Sequence, residues 1–273
     1  MHSIPDSWHN EIASVVDAIG LEQFPQRLIE ALKTVIAYNQ VVVICMQKEC
    51  PPTFWCSEVP QQRKEAVIDQ YLRGCYLLDP WYHAYQNGLQ SGPYILEDIA
   101  PDNFYNSDFY HQYYQAISVD NEAVIAVNLE AGVQIQISLG LTEKQISQQT
   151  RNTLETVSPF IISAARKHWQ DIALHSDLLQ SRNQIINNHV AHVLENFGCQ
   201  SLSEREREVA LLMIRGYSLK AIADLLGVAM GTTKVHCKNL YKKLDINSQS
   251  ELFSLFLDEI SLPYAQRETQ SEG

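Results

Sequence analysis

LSEREREVALLMIRGYSLKAIADLLGVAMGTTKVHCKNLYKKLDINSQSEL, residues 202–252, spells four short helices separated by glycine and polar breaks. Ser203 can cap a first helix that carries Glu204 and Glu206 in its opening turn, where the helix dipole favours acids. That helix buries Val209, Leu212 and Met213 and stops at Gly216. A second, Ser218 to Leu226, buries Ile222 and either Leu225 or Leu226. Gly227 permits the sharp turn that follows. The third helix runs from near Met230 to Leu244 without a single acid. A fourth, Gln249 to about Leu257, closes the bundle. Lys234, Lys238 and Lys242 recur every four residues, so they share one side of the third helix. Leu240 and Leu244 face inward. A helix with one cationic face fits the major groove of double-stranded DNA.

The whole chain of 273 residues has a formal charge of −12, which is unpromising for a phosphate-binding protein. Its distribution answers the objection. Residues 211–250 hold six basic side chains (Arg215, Lys220, Lys234, Lys238, Lys242, Lys243) against Asp224 and Asp245. The acids lie elsewhere, as expected of two parts with different tasks.

The C-terminal segment resembles the DNA-binding domain of LuxR-type (NarL/FixJ-like) transcription regulators. The resemblance rests on Leu202, Ser203, Arg205, Glu208-Val209, Gly216, Ser218, Lys220, Ile222-Ala223, Leu226, Thr232, Lys234, His236, Asn239 and Lys243-Leu244. It implies that Lys234, Val235 and Lys238 meet base edges, while Lys220, Thr232 and Lys242 meet phosphates. It also implies a homodimer on two-fold half-sites. The sequence departs from the family pattern at Leu219, Ala221, Ala229, Thr233 and Gln249. At Ala229 a capping serine is lost, at a cost of about 1 kcal/mol.

Upstream, apolar residues at helical spacing (Ile12, Val15, Val16, Ile19, then Leu28, Leu32, Val35, Ile36) predict two helices broken at Gly20. Gln40 to Met46 reads as a buried strand, and Pro51-Pro52 as a loop. Val59 to Tyr76 has helical periodicity, and Asp79-Pro80 caps and opens another helix. Strands Ala123–Leu129 and Val133–Leu139 flank a tight turn, which makes them antiparallel. Helical pattern then runs from Thr142, capped in a box with Gln145, to about Leu179, kinked or divided at Pro159. The fold class predicted is an α+β N-terminal sensor domain, an antiparallel sheet flanked by helices, followed by an all-α four-helix helix-turn-helix domain. The domains are placed at 1–180 (sensing and dimerisation), 181–200 (linker), 201–260 (DNA binding) and 261–273 (flexible tail).

Tyr71 and Asp79-Pro80 are similar to part of the W-x(3)-Y-x(8)-D-P signature of autoinducer-binding domains. Tyr71 lies one residue too near the aspartate, and Ala66 stands where the tryptophan belongs. The resemblance implies a relative of that domain, or a similarly built GAF/PAS-like sensor, with altered ligand chemistry. Trp55, Tyr71, Tyr76, Asp79, Trp81, Tyr82 and Tyr94 are the candidate ligand-binding residues, with Tyr85 and Asp98 nearby. Aromatic walls around one carboxylate can hold an amide N–H or a cation, so the effector expected is a small amide, amine or lactone-like molecule. Phe104 to Tyr114 is either a lid over this pocket or a dimer surface.

Function classes are also excluded. No nucleophile elbow, phosphate loop, dinucleotide fingerprint or His-Glu-x-x-His motif occurs, so no catalytic residue and no enzyme activity is expected. The six cysteines form no CxxC pair, and His189, His192 and Glu195 supply three ligands without a fourth, so no metal and no cofactor is assigned. Without a signal peptide or a long apolar run the chain is expected in the cytoplasm, away from membranes. The leading expectation is a DNA-binding transcription regulator controlled by a small molecule. The alternatives are a constitutive dimeric regulator whose first domain only dimerises, and an enzyme fused to a DNA-binding domain.

Overall fold

The computed structural model describes residues 5–48, 50–60, 68, 70–72, 74–141, 143, 145–170 and 196–261. Five strands form one antiparallel sheet in the order β2-β1-β5-β4-β3, with β1 Gln40–Met46, β2 Thr53–Glu58, β3 Gly92–Ile95, β4 Asn121–Asn128 and β5 Gln134–Leu141. The hairpin β4–β5 turns through Ala131 and Gly132, both at positive φ. Two edge strands were not anticipated. β2 follows the Pro51-Pro52 loop and is half-buried throughout, which hides its periodicity. β3 contains Pro93, tolerable because β3 lies at the edge of the sheet.

The two faces of the sheet bury different things. Val41, Val43, Cys45, Ala123, Ile125, Ile135, Ile137 and Leu139 pack under helices α1 (Asp6–Asp17), α2 (Phe24–Lys33) and α4 (Gln148–Trp169). The α4 helix is capped by Ser147, whose hydroxyl accepts from Thr150 N at 3.1 Å, so the expected cap at Thr142 is corrected; Thr142 itself lies outside the described residues. Pro159 does not divide it. Pro159 and Glu155, whose carbonyl loses its partner to the ring, are both exposed, while Leu154, Val157 and Ile161 anchor the buried side.

The opposite face is covered by irregular, aromatic chain. Cys75–Leu78 forms a 3-10 turn, α3 spans Pro80–Gln86, and Tyr110–Tyr114 winds as a π-helix. Phe104, Phe109, Tyr110, Tyr113 and Tyr114 are all buried there, which makes one side of 104–114 a wall of the domain, while Asn106, His111 and Gln112 are exposed. Half of the predicted helix over Val59–Tyr76 falls outside the described residues.

The helical module follows its sequence closely, in α5 (Glu204–Ile214), α6 (Leu219–Leu225), α7 (Met230–Leu244) and α8 (Gln249–Ser261). Ser203 and Glu206 complete a reciprocal capping box, and Ser218 caps α6. Of the two leucines left open, Leu226 is half-buried and Leu225 is 59% exposed. Lys243 reaches Glu206 over 2.7 Å and ties α7 to α5. Burial raises the Glu206 pKa, but Lys243 and Ser203 outweigh it and hold the carboxyl below its usual range. The module packs on the aromatic face of the first domain, and both share one apolar core.

Candidate functional site

Two places carry chemistry, a cavity under the sheet and the outer face of α7. The cavity lies between the β1-β5-β4 surface and the aromatic wall. Its lining includes Gln40, Phe54, Tyr71, Asp79, Trp81, Tyr113, Tyr114, Glu122, Gln136, Ser138 and Gly140, around a free volume of about 30 Å³. Asp79 is 4% exposed and does two things. As the cap of α3 it accepts from Trp81 N at 3.1 Å, and its other oxygen accepts from the Tyr71 hydroxyl at 2.6 Å. Glu122 stands at the start of β4. It accepts from Trp81 Nε1 at 2.6 Å, from the Tyr114 hydroxyl at 2.8 Å and from the Ser138 hydroxyl.

Two carboxylates in one enclosed space cannot both ionise cheaply. Burial, then the charge of Glu122, pushes the Asp79 pKa up to about 7 against the hydrogen bonds it receives. Burial raises Glu122 as well, opposed by Ser138, Tyr114 and Trp81. Desolvation carries Tyr71, Tyr113 and Tyr114 far above the ordinary phenol range, so these rings stay neutral donors.

Of the seven residues singled out in the sequence, Tyr71, Asp79 and Trp81 meet at the cavity. Tyr76 is buried behind Tyr71, in ring contact with it and with half-buried Tyr82. Tyr94 turns its hydroxyl to the Gln90 carbonyl at 3.1 Å. Trp55 lies on the other face of the sheet, 5.6 Å from the Trp169 ring, because alternation along β2 gives the cavity Phe54 instead. Asp98 pairs with Arg151 at 2.7 Å, away from the cavity. Glu122 and Gln40 were missed, and Tyr113 and Tyr114 entered only through the expectation that 104–114 is a lid over the pocket or a dimer surface. The signal for the sheet residues was present: Gln134, Gln136, Ser138 and Gly140 alternate with isoleucine and leucine in a strand buried on both faces.

The wall of the cavity also touches the helical module. Asn103 N donates to the Gly216 carbonyl at 3.1 Å, and Asp102 accepts from Ser218 N at 2.9 Å and from its hydroxyl at 2.5 Å. Ser250 donates to Asp108 at 2.7 Å. Gly216 sits at φ +93°, and a Cβ there would lie 3.1 Å from the Phe104 Cα, so close docking needs glycine. Beside it, Arg215 enters a cleft with Leu78, Pro80 and His83 of the first domain. Burial and then Arg215 depress the His83 pKa to about 3, so His83 is neutral and its Nε2 contacts the Leu77 carbonyl at 2.6 Å.

On α7, Thr232, Lys234, Val235, Lys238 and Lys242 are all exposed, as is Lys220 near the start of α6. Val235 is 57% exposed, an apolar side chain held outward among lysines. Ala229 offers no side-chain cap to α7. Thr233 is fully buried, and its hydroxyl has no hydrogen-bond partner.

Residues 200–256 match the GerE family, bacterial regulatory proteins of the luxR family. A putative HTH-type transcriptional regulator in the exeN 3' region of Aeromonas salmonicida is 31% identical over 186 residues, covering 67% of this chain and 94% of that protein. The chain belongs to the LuxR family. This LuxR-family protein is a DNA-binding transcription regulator, and its relatives are regulators too. The monoamine regulon transcriptional regulator of Klebsiella aerogenes is 25% identical over 198 residues, covering 72% of this chain and 74% of that one. The crystal structure of the VqsR LBD domain from Pseudomonas aeruginosa superposes with a TM-score of 0.54 at 21% identity, over 60% of this chain and 97% of that one. The first domain therefore shares the fold of that domain. Among the described residues no helix is long and apolar enough to cross a membrane.

Proposed function

We propose that this LuxR-family regulator is controlled by a small molecule, an amide, amine or lactone-like effector, that enters the cavity around Tyr71, Asp79, Trp81 and Glu122. The observation that carries this reading is one of continuity. The segment 102–114 supplies Tyr113 and Tyr114 to the cavity and Asp102, Asn103 and Asp108 to the helical module. Any molecule that moves the wall also moves the groups that hold α6 and α8. Control further requires that the effector bind the DNA-competent and incompetent states unequally. The name of the Klebsiella aerogenes relative, a monoamine regulon regulator, falls within the same chemical range.

The output is double-stranded DNA read by a homodimer. Lys234, Val235 and Lys238 face base edges, and Lys220, Thr232 and Lys242 face phosphates. All six are exposed, as contact with DNA requires.

The test is a thermal-shift screen of the full chain against amines, acyl amides and lactones, followed by DNA titration with each hit. A hit should stabilise the protein and change its DNA affinity, and both effects should vanish in Asp79→Ala and Trp81→Ala. A hit that acts identically on both variants overturns the site. If no effector shifts either stability or DNA affinity, the constitutive reading replaces this one.

A further inference from the structure

The effector reading leaves open what kind of molecule the cavity takes, and three side chains narrow it. Asp79 and Glu122 both face the space, and among the described residues no lysine, arginine or histidine lines it. Gln40, 5% exposed, lines the same cavity with an Oε1 that receives no hydrogen bond. The sheet register puts these acceptors in order: Gln40 of β1 and Glu122 of β4 both pair with Gly140 of β5. Gly140 leaves the space between them open. A Cβ at that position would come within 2.7 Å of Gln40 Cγ and 2.8 Å of Val119 Cγ2.

We propose that the effector is a small organic cation, a protonated primary amine, whose ammonium group is held by Asp79, Glu122 and the Gln40 carbonyl. The proposal rests on the reading of this cavity as the effector site. Hydrogen-bond stoichiometry separates it from a neutral ligand. A secondary amide brings one N–H, satisfies one carboxylate and leaves the other buried beside acyl carbon, which is costly. An ammonium brings three donors and a positive charge to three acceptors and an excess of negative charge. Each carboxylate already holds two or three donors from the protein, fewer than the four or so it can accept. Phe54, Tyr71, Trp81 and Tyr113 surround the same space, and aromatic faces attract cations. The free volume of about 30 Å³ suits a head group the size of one water molecule. An alkyl tail needs more room than this, so the aromatic wall must move outward to seat it along the apolar lining of Val42, Ile44, Ile117 and Val119.

The cation also replaces a proton. Among the described residues, the titratable groups facing the pair are Tyr71, Tyr113 and Tyr114, with Cys75 beside Asp79, all held neutral by burial. The proton that the carboxylate pair retains below about pH 7 is therefore the one an ammonium displaces. A neutral amide displaces none.

The experiment is calorimetric titration of the full chain with a series of primary ammonium chlorides, methyl- to octylammonium plus phenethylammonium. The matching alcohols and N-hexanoyl-homoserine lactone are run beside them. Each titration is made at pH 6.5 in two buffers of different ionisation enthalpy. At least one ammonium should bind with release of close to one proton and tighten severalfold to tenfold between pH 6 and 7.5, while its alcohol does not bind. Glu122→Gln, checked for native circular dichroism, should weaken that ammonium at least tenfold. Because proton release is read on the unaltered protein, misfolding of the variant cannot decide the matter. If the lactone binds without proton release and no ammonium binds, the cation inference is overturned while the effector site stands. If no ammonium, alcohol or lactone binds, the cation inference is overturned and the effector site loses its support with it.

Discussion

Asp79 and Glu122 are joined through a single hydroxyl: Tyr114 Oη lies 2.8 Å from Glu122 Oε2 and 3.4 Å from Asp79 Oδ1. One phenolic hydrogen cannot serve both carboxylates fully. With Glu122 taking it, Asp79 is the group left short of donors, and a proton on Asp79 can be donated back to the phenol oxygen. The cavity is thus built around a shared proton, and its occupancy should be visible in stability.

Asp79 has a folded-state pKa near 7 and an ordinary value of 3.8, so between those values the folded protein holds a proton that the unfolded chain has lost. Its contribution to stability is present below pH 4 and lost as pH rises to 7. His83 works in the opposite sense. Its folded pKa near 3 lies below the usual 6.5, so its contribution is lost as pH falls through that window. The two partly cancel in the native protein. Asp79→Asn keeps a capping side chain and removes only the first. Urea denaturation at half-unit steps should therefore show the stability of Asp79→Asn relative to the parent rising from pH 4 to 7, by a few kcal/mol. Parallel curves would mean that Asp79 does not hold the proton.

The contact between Asp102 and Ser218 predicts an electrostatic effect on DNA binding. Burial raises the Asp102 pKa, but the hydrogen bonds from Ser218 and from nearby backbone amides together outweigh it and keep the carboxyl below its usual range, so it is charged at neutral pH. It occupies the start of α6, the helix that also carries exposed Lys220. A carboxylate there repels phosphate. Asp102→Ala should raise the DNA affinity of the effector-free protein severalfold, on specific and random duplexes alike, and make α6 more accessible to hydrogen exchange. Unchanged affinity would confine this contact to packing.

Two departures from the family pattern are liabilities that substitution should relieve. Thr233 buries a hydroxyl without a partner, and Ala229 leaves the α7 N-terminus uncapped with backbone angles (φ −68°, ψ 146°) suited to a serine cap. Thr233→Val should stabilise the protein by about 1 kcal/mol, since an unsatisfied buried hydroxyl costs on that order. Ala229→Ser should add about 1 kcal/mol through a bond accepted from a first-turn amide, that of Gly231 or Thr232. Chemical denaturation followed by circular dichroism checks both, and a loss of stability at position 233 would show that the hydroxyl has a partner in solution.

The helical module was legible because its signals are local. Ser203, Ser218, Gly216 and Gly227 mark ends within a turn of where they act, and α7 begins and ends at Met230 and Leu244 as its pattern predicts. The sheet was half legible. β1, β4 and β5 are long and apolar, while β2 and β3 are edge strands with too few buried positions to show alternation. The cavity was legible only around Asp79, where Tyr71 and Trp81 lie close in sequence. Glu122, Gln40 and Gly140 come together through strand register, over separations of up to one hundred residues. Trp55 failed for the same reason: one step along β2 exchanges it with Phe54 and moves it to the other face.

The division of labour along α7 can be separated by salt. Lys242 lies in the last turn, exposed and proposed for phosphate, where each neutralised charge releases counterions whatever the sequence. Lys242→Ala should weaken binding on every duplex and lower the slope of log affinity against log salt by about one. Lys238 is mid-helix, one turn beyond Lys234, and is proposed for base edges in the major groove. Lys238→Ala should cost about 1–3 kcal/mol on the preferred site and relax the preference at one base pair, with random DNA little affected. Fluorescence anisotropy on specific and scrambled duplexes at four salt concentrations measures both. If the two variants lose affinity equally on both duplexes, the division between base and phosphate contacts fails, and the lysines act as a single phosphate-binding stripe.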